Sequence, residues 1–207
     1  TLNQKSFTYN TIGIIYLQQG KYPEALKSLL DALKIIRETG YKKEIAEIQN
    51  NLGILYTMQH NFAQALEHYS ISLKLREEIG DKKGMSESYN NLGIIFDDAG
   101  NFEQSVEYYN KSIKIDEELN NKNGIANCLN NVGYVHFKNG FFDKAAEYFK
   151  KALKIYEELD DKRGISIVYS SYAELFIKLK KYDLAVDYAD KALIYAKEIE
   201  TLPLEQD

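Results

Sequence analysis

One cysteine, two prolines and no tryptophan occur in the 207 residues of this chain. A lone thiol, Cys128, can neither close an intrachain disulfide nor supply a thiolate zinc site. With so little proline, long stretches lack the residue that deletes a helical hydrogen bond and clashes with the preceding turn. A formal net charge of −5 omits the basic excess needed to displace counterions from phosphates, which sets nucleic acid aside as a partner. No apolar run reaches the roughly 18 residues of a membrane span, and no signal peptide is visible, so membrane insertion is not expected of this segment. The chain contains no glycine-rich phosphate loop, no HExxH and no CxxC. His60, His68 and His136 are scattered along it in different structural slots. The expectation is therefore no catalytic residue, no cofactor and no metal: not an enzyme. Beginning at Thr1, the sequence reads as a piece of a larger protein. It leans towards the cytoplasm, with the periplasm open if it belongs to a membrane-bound sensor.

What is present is periodic. Apolar residues make up 44% of the chain, enough to bury a core, and there are 17 tyrosines and 9 phenylalanines. Shifted against itself by 40 residues, the sequence aligns without a gap. Gly13, Gly53, Gly93 and Gly133 share a column that Ala173 closes. Ala25, Ala65, Ser105, Ala145 and Ala185 form a second, and Ala32, Ser72, Ser112, Ala152 and Ala192 a third. Tyr22, Phe62, Phe102, Phe142 and Tyr182 form a fourth.

Each unit reads as two helices. In the second unit they are predicted over about Lys43 to Gln59 and about Ala63 to Ile79. Gly20, Gly100 and Gly140 stand where a helix must end, in a conformation that glycine tolerates, whereas His60 and Lys180 occupy the same slot in other units. Pro23 suits a first helical position. The polar segments 80–84, 120–124 and 160–164 read as loops between units, with Asp81 and Asp161 as helix N-caps. Mid-helix glycine costs about 1 kcal/mol against alanine, so its recurrence asks for a reason. Close approach of the two helices, with Ala25 and Ala32 opposite, supplies one.

The residues Leu52, Gly53, Tyr56, Ala65, Tyr69 and Ser72 carry a resemblance to the tetratricopeptide repeat, in the 40-residue form similar to that of kinesin light chains, spindle-orientation adaptors and bacterial signalling proteins. The resemblance covers residues 3 to about 199. It implies an all-α, right-handed superhelical solenoid of five helix-turn-helix repeats, about ten antiparallel helices, in one array over 1–200. The repeats would be 3–40, 43–80, 83–120, 123–160 and 163–199, with 201–207 as a tail. It also implies that the first helix of each repeat lines a concave groove that holds a protein or an extended peptide.

At 100° per residue, the side of each first helix turned away from its partner carries a distinctive set of side chains. Asn50, Asn51, Asn90, Asn91, Asn130 and Asn131 recur there although asparagine is a mediocre helix former. A row of amides, each with donor and acceptor, suits the backbone of an extended peptide, or else the amides bond one another as a structural ladder. Ile54, Ile94 and Tyr134 offer either an apolar floor for a ligand or packing between successive first helices. Glu47, Glu87 and Asp98 make one end of this face acidic, while Lys138 and Lys178 lie towards the other. Recurrent carboxylate pairs such as Glu77-Glu78 and Glu157-Glu158 read as solvated surface. Two rivals to the scaffold reading stay open. One is a receptor domain for a short signalling peptide in a transcription or phosphorelay regulator. The other is self-assembly, as a homodimer through the C-terminal hairpin, where Val186 and Leu193 have no further unit to cover them.

Overall fold

The computed structural model describes residues 1–201, with side chains through Ile199; residues 202–207 of the expected tail lie outside the described residues. Among the described residues the chain is all helix and turn. The helices are α1 (Leu2–Gln18), α2 (Tyr22–Arg37), α3 (Lys42–Met58), α4 (Phe62–Ile79), α5 (Lys82–Asp98), α6 (Phe102–Glu118), α7 (Lys122–Lys138), α8 (Phe142–Glu158), α9 (Lys162–Lys178) and α10 (Tyr182–Thr201). They follow one another as sequential antiparallel pairs, the odd-numbered helix leading each pair. The chain divides into two compact units, residues 1–104 and 105–207.

A left-handed residue ends a helix every twenty positions. Gly20, Gly40, Gly80, Gly100 and Gly140 have φ between 68° and 80°. His60, Asn120, Asp160 and Lys180 adopt the same conformation at φ of 51–58° despite their Cβ atoms. The chain then restarts on a cap: the side chains of Asp81, Asn121 and Asp161 accept from the backbone N–H of Gly84, Gly124 and Gly164 at 3.0–3.2 Å. Those three glycines were expected in loops. They lie instead within the first turns of α5, α7 and α9, so the connections are shorter than the sequence suggested. Each glycine receives a side chain from the end of the preceding helix: Arg76, Asp116 or Tyr156.

The mid-helix glycines have a different opposite number from the one expected. A Cβ on Gly13 would stand 2.8 Å from the Leu29 side chain, one on Gly53 2.5 Å from the Tyr69 ring, and one on Gly133 2.6 Å from the Phe149 ring. The glycine thus makes room for a large residue. The Ala25 carbonyl lies further from the Gly13 position, at 3.5 Å. Ala32 faces Ser6, whose hydroxyl donates to the Ala32 carbonyl at 3.0 Å, and Ser166 makes the equivalent bond to Ala192; in the second hairpin the roles are reversed, and Ser72 on α4 donates to the Ala46 carbonyl on α3. Small residues meet at that crossing because the helices are near enough for a serine hydroxyl on one to reach a backbone carbonyl of the other.

In the first unit the core is a cluster around Leu29, Leu33, Ile36, Ile48, Leu52 and Leu55, which joins α2 to α3. In the second it centres on Phe149, Tyr156, Ile165, Val168 and Leu175, joining α8 to α9. The first and fourth hairpins therefore complete their cores with the first helix of the next, as expected of units too small to bury an apolar face alone. Ion pairs Lys42–Glu78 (3.0 Å), Lys122–Glu158 (2.9 Å) and Lys162–Glu198 (2.9 Å) tie the start of a hairpin to its end. The lysine beside Glu78 and Glu158 lowers the pKa of both carboxyls.

A candidate peptide-binding face on the odd-numbered helices

In the first unit the outward faces of α1 and α3, with the start of α5 and the end of α4, enclose a concavity of about 510 Å³. Phe7, Asn10, Thr11 and Ile14 line it from α1, Lys43, Glu47, Asn50 and Asn51 from α3, and Gly84 and Glu87 from α5. The structure thereby brings Glu47, Glu87, Asn50 and Asn51 together around one opening. Phe7, at 71% exposure, stands at its edge as an aromatic ring without cover.

The asparagines form a ladder. Asn51 Nδ2 donates to Asn10 Oδ1 at 2.9 Å, and Asn91 Nδ2 donates to Asn50 Oδ1 at 2.9 Å. Each bond joins one odd-numbered helix to the next and spends one of the two N–H groups on its donor. The Oδ1 atoms of Asn51 and Asn91 accept no hydrogen bond among the described residues, and both side chains are half-buried. The ladder and a ligand contact are thus compatible on one residue: the ladder fixes the amide plane and leaves an acceptor. Ile54 and Ile94 are half-buried, and Ile54 packs against the first core cluster. Met58 and Asp98 are exposed one turn further along.

Burial raises the pKa of the Glu47 carboxyl, while Lys43 beside it acts in the opposite direction. Glu87 is tied by Arg76, whose Nη2 lies 3.3 Å from Glu87 Oε2. Arg76 is the site residue that the sequence did not single out. Its slot one repeat earlier holds Ile36, yet this guanidinium is only 3% exposed. Its Nη1 donates to the Gly84 carbonyl at 2.6 Å and to Ser88 Oγ at 2.9 Å, while its Nε has no partner. The signal was present: a charge in a slot that holds Ile36 one repeat earlier and Tyr156 two repeats later, eight residues before a glycine in the first turn of a helix.

The second unit carries its own version of this face. Ser171 Oγ donates to Asn130 Oδ1 at 3.4 Å, and Tyr134 Oη donates to Glu174 at 3.2 Å. Tyr156 Oη donates to Asn127 Oδ1 at 2.6 Å, which anchors that amide from below. Asn131 is half-buried beside them, and Tyr134, Ile167, Lys138 and Lys178 are exposed. The single thiol plays no part. Cys128 is buried, donates to Ser112 Oγ at 3.3 Å, and has its pKa pushed up to about 12 by burial, which keeps it in the unreactive thiol form.

A family model for the tetratricopeptide repeat matches residues 4–78, 44–118 and 124–198. No curated protein matches the chain. Among solved structures it is similar to BtubC (BKLC) from P. vanneervenii, with a TM-score of 0.80 at 19% identity over 100% of this chain and 85% of that one. It is similar to a Rap protein complexed with Competence and Sporulation Factor, with a TM-score of 0.85 at 20% identity, covering 95% of this chain and 55% of that one. A third likeness is to NprR in complex with its cognate peptide NprX, with a TM-score of 0.78 at 19% identity, covering 95% and 57%. The chain thus spans little more than half the length of the latter two proteins.

Proposed function

The chain belongs to the tetratricopeptide repeat family, whose repeats generally bind proteins or peptides, and from that premise we propose that it is the interaction segment of a larger, bacterial signalling protein and takes an extended peptide on its odd-numbered helices. The observation that carries the reading is the amide ladder at the 510 Å³ concavity, where Asn51 is oriented by Asn10 and keeps an acceptor for a peptide N–H. Amides grip backbone whatever the peptide sequence, and Phe7 and Ile14 add apolar contact for a side chain. The likeness to NprR, solved with a peptide, favours a second and narrower version in which the ligand is a short signalling peptide.

A displayed library of random peptides selected against the 207-residue chain tests the reading. Enriched peptides are expected to lose at least tenfold in affinity to the Asn51→Ala, Asn91→Ala, Asn131→Ala triple variant, roughly 1.4 kcal/mol or more. They should bind unchanged to a Glu77→Gln, Glu157→Gln control. Peptides indifferent to the triple variant, or no enrichment at all, would overturn it.

A further inference from the structure

Two exceptions to the 40-residue period meet in the second unit. The slot after the left-handed residue is polar at Lys21, Asn61, Asn101 and Lys181 but apolar at Phe141. The slot before it holds Gln19, Gln59, Ala99 and Asn139, then Leu179 in the last repeat. Phe141 and Leu179 line one concavity of about 550 Å³, with Gly140, Phe142, Asp143 and Lys144. None of these residues belongs to the amide face. Stacking of repeats does not cover the hollow: Phe141 is 50% exposed with α9 and α10 in place, and its slot is exposed in every other repeat. The Phe141 ring is held in position. The His136 ring stands at 82° to it with centroids 5.9 Å apart, and Lys144 Nζ lies 5.8 Å from its centroid. Phe142 and Leu179 pack on the second core cluster, which fixes those walls.

Positive charge gathers at the same two turns. Segments 138–144 and 178–184 carry Lys138, Lys144, Lys178, Lys180 and Lys181 against Asp143 and Asp183, in a chain whose net charge is −5. The corresponding turns at 58–64 and 98–104 carry no lysine or arginine. Asp143 and Asp183 lie in the first turns of α8 and α10, where the helix dipole already favours a carboxylate. Lys178, Lys180 and Lys181 form no ion pair among the described residues, and they stand in slots exposed throughout the chain. An apolar hollow flanked by uncompensated cations selects a ligand that brings an apolar side chain and negative charge together. We propose that this hollow is a second docking site, for an acidic segment of a partner protein that seats one large apolar side chain between Phe141 and Leu179. A bilayer fits it less well, because insertion needs rings that project, and Phe141 lies against His136 and Lys144 at the wall of a depression.

Fluorescence anisotropy with a labelled synthetic peptide, a central phenylalanine between two Asp-Glu pairs, tests the site. Binding with a Kd of roughly 10–100 µM is expected, weakening as salt rises. The same peptide with alanine at its centre, or with lysines for its acids, should bind at least tenfold more weakly. Phe141→Asn restores the residue type of Asn61 and Asn101 at a capping slot, so it should hold or raise the urea midpoint while weakening the peptide at least tenfold. Lys144→Gln with Lys181→Gln should also weaken it, whereas Lys150→Gln with Lys154→Gln, further along α8, should not. The proposal is overturned by a peptide that fails to bind at ~1 mM, by one that binds Phe141→Asn as well as the wild type, or by capture on phosphatidylserine vesicles in the peptide's place.

Discussion

In the second hairpin Gly53 has no room for a methyl group because the Tyr69 ring fills the space. The Cβ of an alanine would stand 2.5 Å from that ring, which is 3% exposed and has its hydroxyl 3.2 Å from Thr57 Oγ1. Held at both ends, the ring cannot swing aside. Overpacking of this kind costs about 1–3 kcal/mol, and the rigidity of the ring places Gly53→Ala at the upper end. Against that, exchanging a mid-helix glycine for alanine gains about 1 kcal/mol. The net expectation is a loss of about 2 kcal/mol. In a Tyr69→Ala background, itself costing about 3–5 kcal/mol, the clash is gone and only the gain remains. There Gly53→Ala should stabilise by about 1 kcal/mol, a coupling of about 3 kcal/mol between the two sites. The fifth repeat already carries the double replacement, Ala173 and Ala189. Urea melts of the four proteins, followed by far-ultraviolet circular dichroism, give the cycle. An alanine at 53 that is neutral in the wild type, or as costly beside Ala as beside Tyr, would show that the glycine column does not exist to seat the ring.

Three further outcomes follow from the same structure. The pKa of His68 and that of His136 are both held below 6.5, first by burial, with Arg37 and Lys144 respectively adding to the effect. The unfolded chain therefore takes up protons first as pH falls, so this stability is full above 6.5 and drains away towards the folded pKa values; His68→Gln with His136→Gln should flatten the fall in urea midpoint between about pH 7.5 and 5.5. Arg76→Ala removes charge-assisted hydrogen bonds to Gly84, Ser88 and Glu87 and should cost about 2–3 kcal/mol, whereas an unchanged thermal midpoint would mean that the buried guanidinium contributes nothing net. His60→Gly and Lys180→Gly relieve left-handed residues and should each stabilise by about 0.5–1 kcal/mol in the same melts.

Much of this architecture could be read from spacing because a solenoid repeat writes its contacts into one period. The columns of Gly13 and Ala32 mark helix crossings, and Asp81 and Asp161 announce the starts of helices. What spacing could not show was which residue faces which. The wheel placed Gly53 against a small neighbour, when a glycine is needed for the opposite reason, to accept Tyr69. Nor could it separate loop glycines from helical ones. Gly80 is left-handed, while Gly84, four residues on, sits in a capped first turn beneath Arg76. Arg76 itself escaped because a period argues from sameness, and its slot varies from Ile36 to Arg76 to Asp116 to Tyr156.

The asparagines illustrate why a ladder and a ligand site need not compete. A free asparagine on a helix surface loses side-chain entropy when it grips a peptide, a cost of about 0.5–1.5 kcal/mol per immobilised side chain. Asn51 and Asn91 have met that cost in folding, through Asn10 and Asn50. Their remaining acceptors are already aimed, so a peptide N–H arriving at Oδ1 meets a fixed dipole. Asn10→Ala would therefore weaken a peptide that never touches it, by freeing Asn51 to rotate. Asn51→Ala removes the acceptor itself and should weaken the same peptide more. Equal losses from the two would mean that the amide at 51 serves the fold and not the ligand.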